Sequence, residues 1–139
     1  MLGRNRKVLI GLCLVLCVPA RVRAQPASTC LTQADTAAMI VARLQRTIAW
    51  SDSAQLANVG LPKVAANQVV LETSNNVCKK AVPAYRQATG LPSTLTAAYV
   101  IRVGSGRLVV VHPAHGAGEY WSFIVINSSN YSYIAWTEG

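Results

Sequence analysis

The sequence is poor in the side chains on which most catalytic and metal sites depend. Five of its 139 residues are acidic and two are histidine, so it offers little choice of paired carboxylates for acid and base catalysis. The two histidines lie far along the chain from Cys30 and Cys78, so these four side chains form no cluster at metal-ligand spacing. No glycine-rich phosphate loop precedes a predicted helix, and no internal repeat is visible. The sequence therefore indicates no catalytic residues and no bound metal, and we expect no cofactor.

The apolar run near the N-terminus is too short to cross a membrane. It extends over residues 8–18, whereas a spanning helix needs about 20 residues. Basic residues precede it, and small residues at Val22 and Ala24 suit a signal peptidase. We therefore predict a signal peptide at 1–24, with cleavage after Ala24 preferred over cleavage after Ala20. An uncleaved anchor is the alternative.

The remaining residues, 25–139, predict one domain of 115 residues. Of the 13 basic residues five lie within the first 24, so the remaining eight exceed the five acidic residues by only three. Lys79 and Lys80 are the only adjacent basic pair outside the leader, and no clustered basic face is visible. We therefore expect no nucleic-acid partner, and no stable membrane span after cleavage.

The cysteines indicate an oxidising compartment. Cys13 and Cys17 lie in the predicted leader, which leaves Cys30 and Cys78 in the domain. Two cysteines in an exported domain most often form a disulfide, and two free thiols are the alternative. We predict a Cys30–Cys78 disulfide and a secreted or periplasmic location.

Apolar periodicity predicts helices in the first half of the domain. Residues 33–49 have apolar positions at three- and four-residue intervals, and Thr32 with Asp35 resembles a capping box. A short helix capped by Ser51 or Asp52 follows, then a strand at 67–73 and a helix at 76–89. Pro83 lies inside that last helix and predicts a kink or a fresh start there.

The second half alternates with a period of two residues, which is typical of strands. Strands around 97–103, 107–112, 119–126 and 131–137 are separated by short turns, so they predict an antiparallel meander. The expected fold is α+β, with an N-terminal helix, a strand, a helix and a four-stranded antiparallel meander. Helices on one face of the sheet would bury their apolar stripes.

Two groups of side chains are candidate sites. His112, His115 and Glu119 flank one predicted hairpin loop, where they form a candidate metal or acid–base site, although the spacing matches no helical zinc motif and an ordinary loop is the alternative. Tyr120, Tyr131 and Tyr133 form a candidate binding surface, because alternation places them opposite Trp121, Phe123 and Trp136. Cross-strand pairing that only stabilises the hairpin is the alternative.

Asn127 and Asn130 each precede a serine by two residues and match the glycosylation pattern. Asparagine and serine are also common turn residues, so the pattern leaves both interpretations open.

Two segments, "ANVGLPKVAANQVVLETSNNVCKKAVPAYRQATG" and "VIRVGSGRLVVVHPAHGAGEYWSFIVI", resemble a set of small secreted bacterial proteins with no assigned activity. The similar features are the Gly-Leu-Pro turn, the strand before a cysteine-bearing helix and a loop that ends Ala-Gly-Glu. This chain has Pro83 where that group tends to have alanine. The resemblance implies a bacterial origin and an exported protein, and carries no activity.

The sequence thus favours an exported binding or structural module whose partner, another extracytoplasmic protein, it does not name. The first alternative is a small hydrolase or metal-dependent enzyme centred on the 112–119 loop. The second is a secreted protease inhibitor that presents a hairpin loop to a protease cleft, which is an analogy at the level of the fold.

Overall fold

The computed structural model describes residues 27–90, 95–114 and 120–138; side chains at 113–114, 120–122 and 136–138 are not described. The predicted leader, 1–24, lies outside these ranges. The described residues form three helices and six strands, which in chain order are β1 Thr29–Cys30, α1 Ala34–Trp50, α2 Ser53–Asn58, β2 Val69–Leu71, α3 Asn75–Thr89, β3 Ala97–Val103, β4 Arg107–Ala114, β5 Tyr120–Asn127 and β6 Tyr133–Glu138. None of the described helices is both long and apolar enough to cross a membrane.

The predicted α+β fold and its antiparallel meander are confirmed. Strands β3, β4, β5 and β6 pair in sequence order. The far edge of β3 is shared by two short strands. Strand β1 runs parallel to its first residues, with Thr29 opposite Ala97, and β2 runs antiparallel to its last residues, with Val69 opposite Val103. Sequence alternation did not predict β1, because two residues are too few to show a period.

Both faces of the central strands are buried. Tyr99 and Ile101 of β3 belong to a core cluster with residues of α1 and α2. The alternate residues, Ala98 and Val100, belong to a second cluster with residues of α3. Because successive strand residues point to opposite faces, α1 and α2 form the expected helix layer on one face, and α3 forms a second layer on the other.

Helix α1 lies within one residue of its predicted bounds because its buried positions, Ala37, Ile40, Leu44 and Ile48, follow the helical period. The predicted capping box of Thr32 and Asp35 is wrong. The N-cap is Gln33, which makes no side-chain cap bond, because the helix starts one residue later than that box requires. The C-terminal end is held by Lys63, whose Nζ donates to the carbonyls of Ile48, Ala49 and Ser51 at 2.5, 2.9 and 2.7 Å. An ammonium group here satisfies free carbonyls and opposes the negative end of the helix dipole.

Helix α2 is fixed at both ends by hydrogen bonds. Asp52 accepts from the Gln55 backbone N–H at 2.8 Å, and Gln55 Oε1 accepts from the Asp52 N–H at 2.9 Å, which is a complete capping box. At the other end Leu61 N–H donates to Leu56 O and Gly60 N–H to Ala57 O. This is a Schellman ending with Gly60 at φ +73°. The predicted cap at Asp52 is confirmed.

Helix α3 continues through Pro83 without a break, so the predicted kink or restart does not interrupt it. One bond is lost, because proline has no N–H to donate to the Lys79 carbonyl. The helix is held by Cys78, Ala81, Val82 and Tyr85, all fully buried against the sheet. Burial of four side chains offsets the cost of one proline.

Cys30 and Cys78 lie at disulfide distance, with their Cα atoms 5.4 Å apart, within the usual range for a disulfide. The bond joins β1 at the sheet edge to the first turn of α3. The predicted pairing is therefore confirmed.

Replacing Gly60 by alanine is expected to destabilise the fold by about 3 kcal/mol. A Cβ here would collide with Ile134 Cγ2, and an L-residue at positive φ adds about 1 kcal/mol of strain. Gly90→Ala is the matched control, because Gly90 has φ +66° but no atom of the described residues within 4 Å of the added Cβ. It should lose only about 1 kcal/mol. Urea denaturation measures both, and equal losses would show that the Ile134 contact contributes nothing.

Replacing Cys30 and Cys78 together by serine should lower the free energy of unfolding by roughly 4 kcal/mol. The bond closes a loop with a sequence separation of 48, and the chain-entropy model gives that magnitude for such a loop. Urea denaturation of the oxidised protein and the double variant measures the difference. A loss below about 1 kcal/mol would mean that the bridge does not constrain the unfolded chain.

Candidate functional site

Of the three residues of the predicted loop site, His112, His115 and Glu119, the structure describes only the first. His112 lies near the end of β4 and is half-buried on the face that α3 covers. Its ring lies beside that of Tyr85, with 6.3 Å between the ring centroids. His115 and Glu119 lie outside the described residues. The described parts of the chain contain no group of three or more His, Cys, Asp or Glu residues close enough to bind a metal ion. The loop site stays a prediction.

The three tyrosines of the predicted binding surface differ in their surroundings. Tyr133 begins β6 and is 52% exposed. Tyr131 is half-buried against the α3-side cluster at φ +58°, and Lys80 Nζ lies 5.5 Å above its ring. This cation–π contact and the turn hold Tyr131 in place. The Tyr120 backbone is in β5, but its side chain lies outside the described residues.

A β-bulge changes the strand alternation on which that surface was predicted. Ile126 pairs with Tyr133, but its neighbour Val125 pairs with Ala135 and Ile124 with Trp136. One extra residue, Ile134, therefore lies in β6, and each bulge reverses the parity of the positions beyond it. By backbone register Tyr133 and Trp136 occupy positions of the same face, so simple alternation does not separate them as expected.

The turn after β5 uses both asparagines of the glycosylation pattern structurally. Asn127 Oδ1 accepts from the N–H and the hydroxyl of Ser129 at 3.0 and 2.7 Å. Asn130 Oδ1 makes the same pair of bonds to Ser132. These two side chains stabilise a tight turn by bonding backbone groups two residues ahead.

A concave site that the sequence did not predict lies between α1, α2 and the sheet. We call it the α1–α2 cleft; it has a volume of about 280 Å³ and is lined by Ile40, Arg43, Leu44, Thr47, Ser51, Gln55, Leu56, Val59, Leu61, Val111 and Phe123. Its floor is formed by Val111 and Phe123, which are cross-strand partners in β4 and β5. The two helices form its walls. Most of these groups are apolar, as is usual for small-molecule sites.

The geometry of the α1–α2 cleft follows from helix spacing. Ile40, Leu44 and Thr47 recur at intervals of four and three residues, so they share one face of α1. The chain then turns at Asp52 into α2, which presents Leu56 to the cleft, and Val59 follows at the C-cap. Because α2 has only six residues, it covers part of the sheet and leaves the cleft beside it.

The rim of the cleft is polar. Thr47 Oγ1 donates to the Arg43 carbonyl at 3.0 Å, so its hydroxyl proton is already used in a hydrogen bond. Gln55 Oε1 accepts from the Asp52 backbone N–H, so the Nε2 end of this amide points away from that N–H. Arg43 and Ser51 complete this rim. The cleft thus combines an apolar interior with hydrogen-bonding groups at its mouth.

A second depression, of about 510 Å³, surrounds the β3–β4 turn and is more open and more polar. Arg107 is the one cationic side chain among the described residues that line this depression. Its guanidinium donates to Gly60 O at 2.9 Å and to Gly106 O at 3.0 Å. These bonds join the turn to the end of α2, so we assign Arg107 a structural role.

No family model, curated protein or solved structure matches this chain. The resemblance to small secreted bacterial proteins therefore stays a prediction.

Burial lowers the pKa of His112, because desolvation disfavours the imidazolium form. Below the ordinary value of about 6.5 the unfolded chain takes up this proton while the folded chain does not. The free energy of unfolding should therefore fall as the pH decreases through 6.5, and His112→Gln should remove that part of the decrease. Urea denaturation between pH 5 and 8 measures it. His115→Gln is the comparison that separates the two histidines, and a His112→Gln curve parallel to that of the unmodified protein would contradict the prediction.

Proposed function

We infer that the chain is an exported binding module and that its binding site is the α1–α2 cleft. The observation that carries this inference is the combination of an apolar floor, two apolar helix walls and a polar rim in one cavity. Pockets of this composition are the usual sites of small-molecule recognition. The ligand is a small molecule with one apolar part.

The volume of the cleft sets the size of that apolar part. A cleft of about 280 Å³ lies at the small end of the usual range of ligand pockets, which is about 300–1,000 Å³. Burying each methylene contributes about 0.8 kcal/mol. A short hydrocarbon chain or a single substituted ring therefore matches the cleft, and a large cofactor does not.

The side chains that line the cleft favour binding over catalysis. The residues described there include no His, Cys, Asp or Glu, so they offer no general base and no thiol. Ser51 is the one serine, and no described lining residue can act as its base, whereas a serine nucleophile needs one. The cleft can thus hold a ligand by burial and hydrogen bonding without a catalytic dyad.

Export is the second part of the proposal. It is supported by the predicted leader at 1–24 and by the Cys30–Cys78 pair, since disulfides persist in oxidising compartments.

The other sequence-derived functions stay predictions. Tyr133 is exposed and available to a protein partner, but Tyr131 is committed to packing under Lys80. The loop that would act as an enzyme site or enter a protease cleft includes residues 115–119, which lie outside the described residues. The α1–α2 cleft supports our proposal because its apolar floor and walls consist of described side chains.

Thr47→Trp should block the cleft and weaken binding of 1-octanol at least about tenfold. Thr47 lies at the rim and is exposed, so the indole can occupy the mouth without displacing the core. Titration of the labelled protein with 1-octanol, followed by amide NMR shifts, measures the affinity. In the unmodified protein the largest shifts should fall on Leu56, Val59 and Phe123.

Ala38→Trp is the matched control, because Ala38 is exposed on the same helix and does not line the cleft. It should bind 1-octanol as the unmodified protein does. Absence of localised shifts in the unmodified protein, or equal loss in both variants, would contradict the proposed function.

A further inference from the structure

We propose that the ligand of the α1–α2 cleft is an uncharged carbonyl compound, a ketone, ester or amide. Its carbonyl oxygen accepts hydrogen bonds from Gln55 Nε2 and Ser51 Oγ at the rim, and its apolar part lies on Phe123 at the floor. This inference rests on the proposed function, because the apolar part occupies the same cleft. It adds the polar group that the rim recognises and the direction in which the ligand lies.

Gln55 presents donors to the cleft because its capping bond fixes which end of the amide is used. Its Oε1 accepts from the Asp52 backbone N–H at 2.9 Å, and the oxygen is the acceptor of a side-chain amide. The Nε2 end makes no hydrogen bond to another described residue, and the side chain lines the cleft. Two N–H groups of Gln55 are therefore available at the rim.

Ser51 supplies another donor from the C-terminal end of α1. It is the C-cap residue of that helix, is half-buried and lines the cleft. Its backbone N–H bonds the Thr47 carbonyl and its own carbonyl accepts from Lys63, but its hydroxyl makes no bond to another described residue. Because a carbonyl oxygen has two lone pairs, it can accept from Ser51 and Gln55 together.

Most acceptors at this rim are already used. Three carbonyls at the end of α1 accept from Lys63 Nζ, and Gln55 Oε1 accepts from Asp52. Among the described rim side chains, the hydroxyl oxygens of Thr47 and Ser51 are the groups that can still accept. The rim therefore matches a group that accepts hydrogen bonds, such as a carbonyl, better than one that donates them, such as an ammonium.

The charges around these donors favour an uncharged ligand. Gln55 and Ser51 are neutral, and the Asp52 carboxylate lies beside them, bonded to the Gln55 backbone N–H at 2.8 Å. An anionic head group would be repelled by that carboxylate, and burying a charge costs more than burying a hydrogen-bonded carbonyl. Arg43 also lines the cleft but already has an interaction partner, so we assign it no part in recognising the ligand.

Ethylbenzene and acetophenone are matched probes, because they share one carbon skeleton and differ by a carbonyl in place of a CH₂ group. Amide NMR titration of the isotope-labelled protein measures both affinities. Acetophenone should bind no more than about fivefold more weakly than ethylbenzene, because the two donors replace the water that its carbonyl loses. It should also move the Gln55 Nε2 proton signals further downfield than ethylbenzene does. A weaker acetophenone affinity, or equal signals with both probes, would overturn the inference.

Gln55→Glu tests the donor role of this side chain. It keeps an oxygen that accepts from Asp52, so the capping box can still form, but it replaces the Nε2 donors by a negative charge. It should weaken acetophenone binding about tenfold more than ethylbenzene binding. Asn58→Asp is the matched control, because it makes the same change at an exposed position of α2 that does not line the cleft. An equal selective loss in Asn58→Asp would overturn the contact with Gln55.

Ser51→Ala is a second, independent variant that removes only the hydroxyl. It should weaken acetophenone binding about fivefold more than ethylbenzene binding. Ser53→Ala is its control, because Ser53 is exposed and does not line the cleft. Circular dichroism checks that each variant is folded. If Gln55→Glu and Ser51→Ala weaken both probes by the same factor, these residues shape the cleft and do not recognise a carbonyl, and the inference fails.

Benzoate tests the charge of the ligand. It has the same ring as acetophenone and a carboxylate in place of the acetyl group. It should bind about tenfold more weakly than acetophenone, because the Asp52 carboxylate repels it and the donors at the rim are neutral. Benzoate binding as tight as that of acetophenone, or tighter, would show that the cleft selects an anion.

The outcomes separate the two proposals. If ethylbenzene, acetophenone and 1-octanol all fail to produce localised shifts at the cleft, the proposed function fails. If ethylbenzene or 1-octanol binds there but acetophenone binding does not depend on Gln55 or Ser51, only the carbonyl inference fails.

Discussion

The two-sided burial of β3, β4 and β5 is the constraint on which the rest of the fold depends. Their central residues are almost completely inaccessible on both faces, so neither face can be left to solvent. Three strands of this kind need a helix layer on each side. The layer of α3 is joined to the sheet edge by the Cys30–Cys78 bond. The layer of α1 and α2 is held by Lys63 at its turn and by the Schellman ending at Gly60.

The sequence predicts most of this fold, because local periodicity is strong. Helix α1 and the meander lie close to their expected positions since each repeats a clear apolar pattern. We did not predict the second helix layer, although the sequence of β4 contains a sign of it. Val109 and Val111 are as apolar as Leu108 and Val110. A strand with one solvated face alternates apolar with polar residues, whereas a continuous apolar run indicates burial on both faces.

The candidate sites were less predictable, because they depend on non-local geometry. The α1–α2 cleft arises from the distance between two helices and a pair of cross-strand residues, Val111 and Phe123. No spacing along the chain specifies that distance. Tyr133 and Trp136 show the same limit on a smaller scale. A single bulge residue in β6 changes their relation, and a rule of strict alternation has no means of locating the bulge.

The two faces of the sheet differ in a way that bears on function. All ten buried residues of the α3-side cluster are 0% exposed, including Cys78 and Tyr85. The opposite cluster is less tightly closed at Leu44 and Leu61, which are 8% and 5% exposed and line the cleft. The covalent bond and the most complete burial therefore belong to the face opposite the α1–α2 cleft. The cleft face is held by the burial of Ile40, Ile48 and Leu56, each 1% exposed, together with the capping bonds at the ends of α1 and α2. A change at Leu44 or Leu61, which lie at the less closed border of that core, should therefore disturb the sheet less than a change at Cys78 or Tyr85.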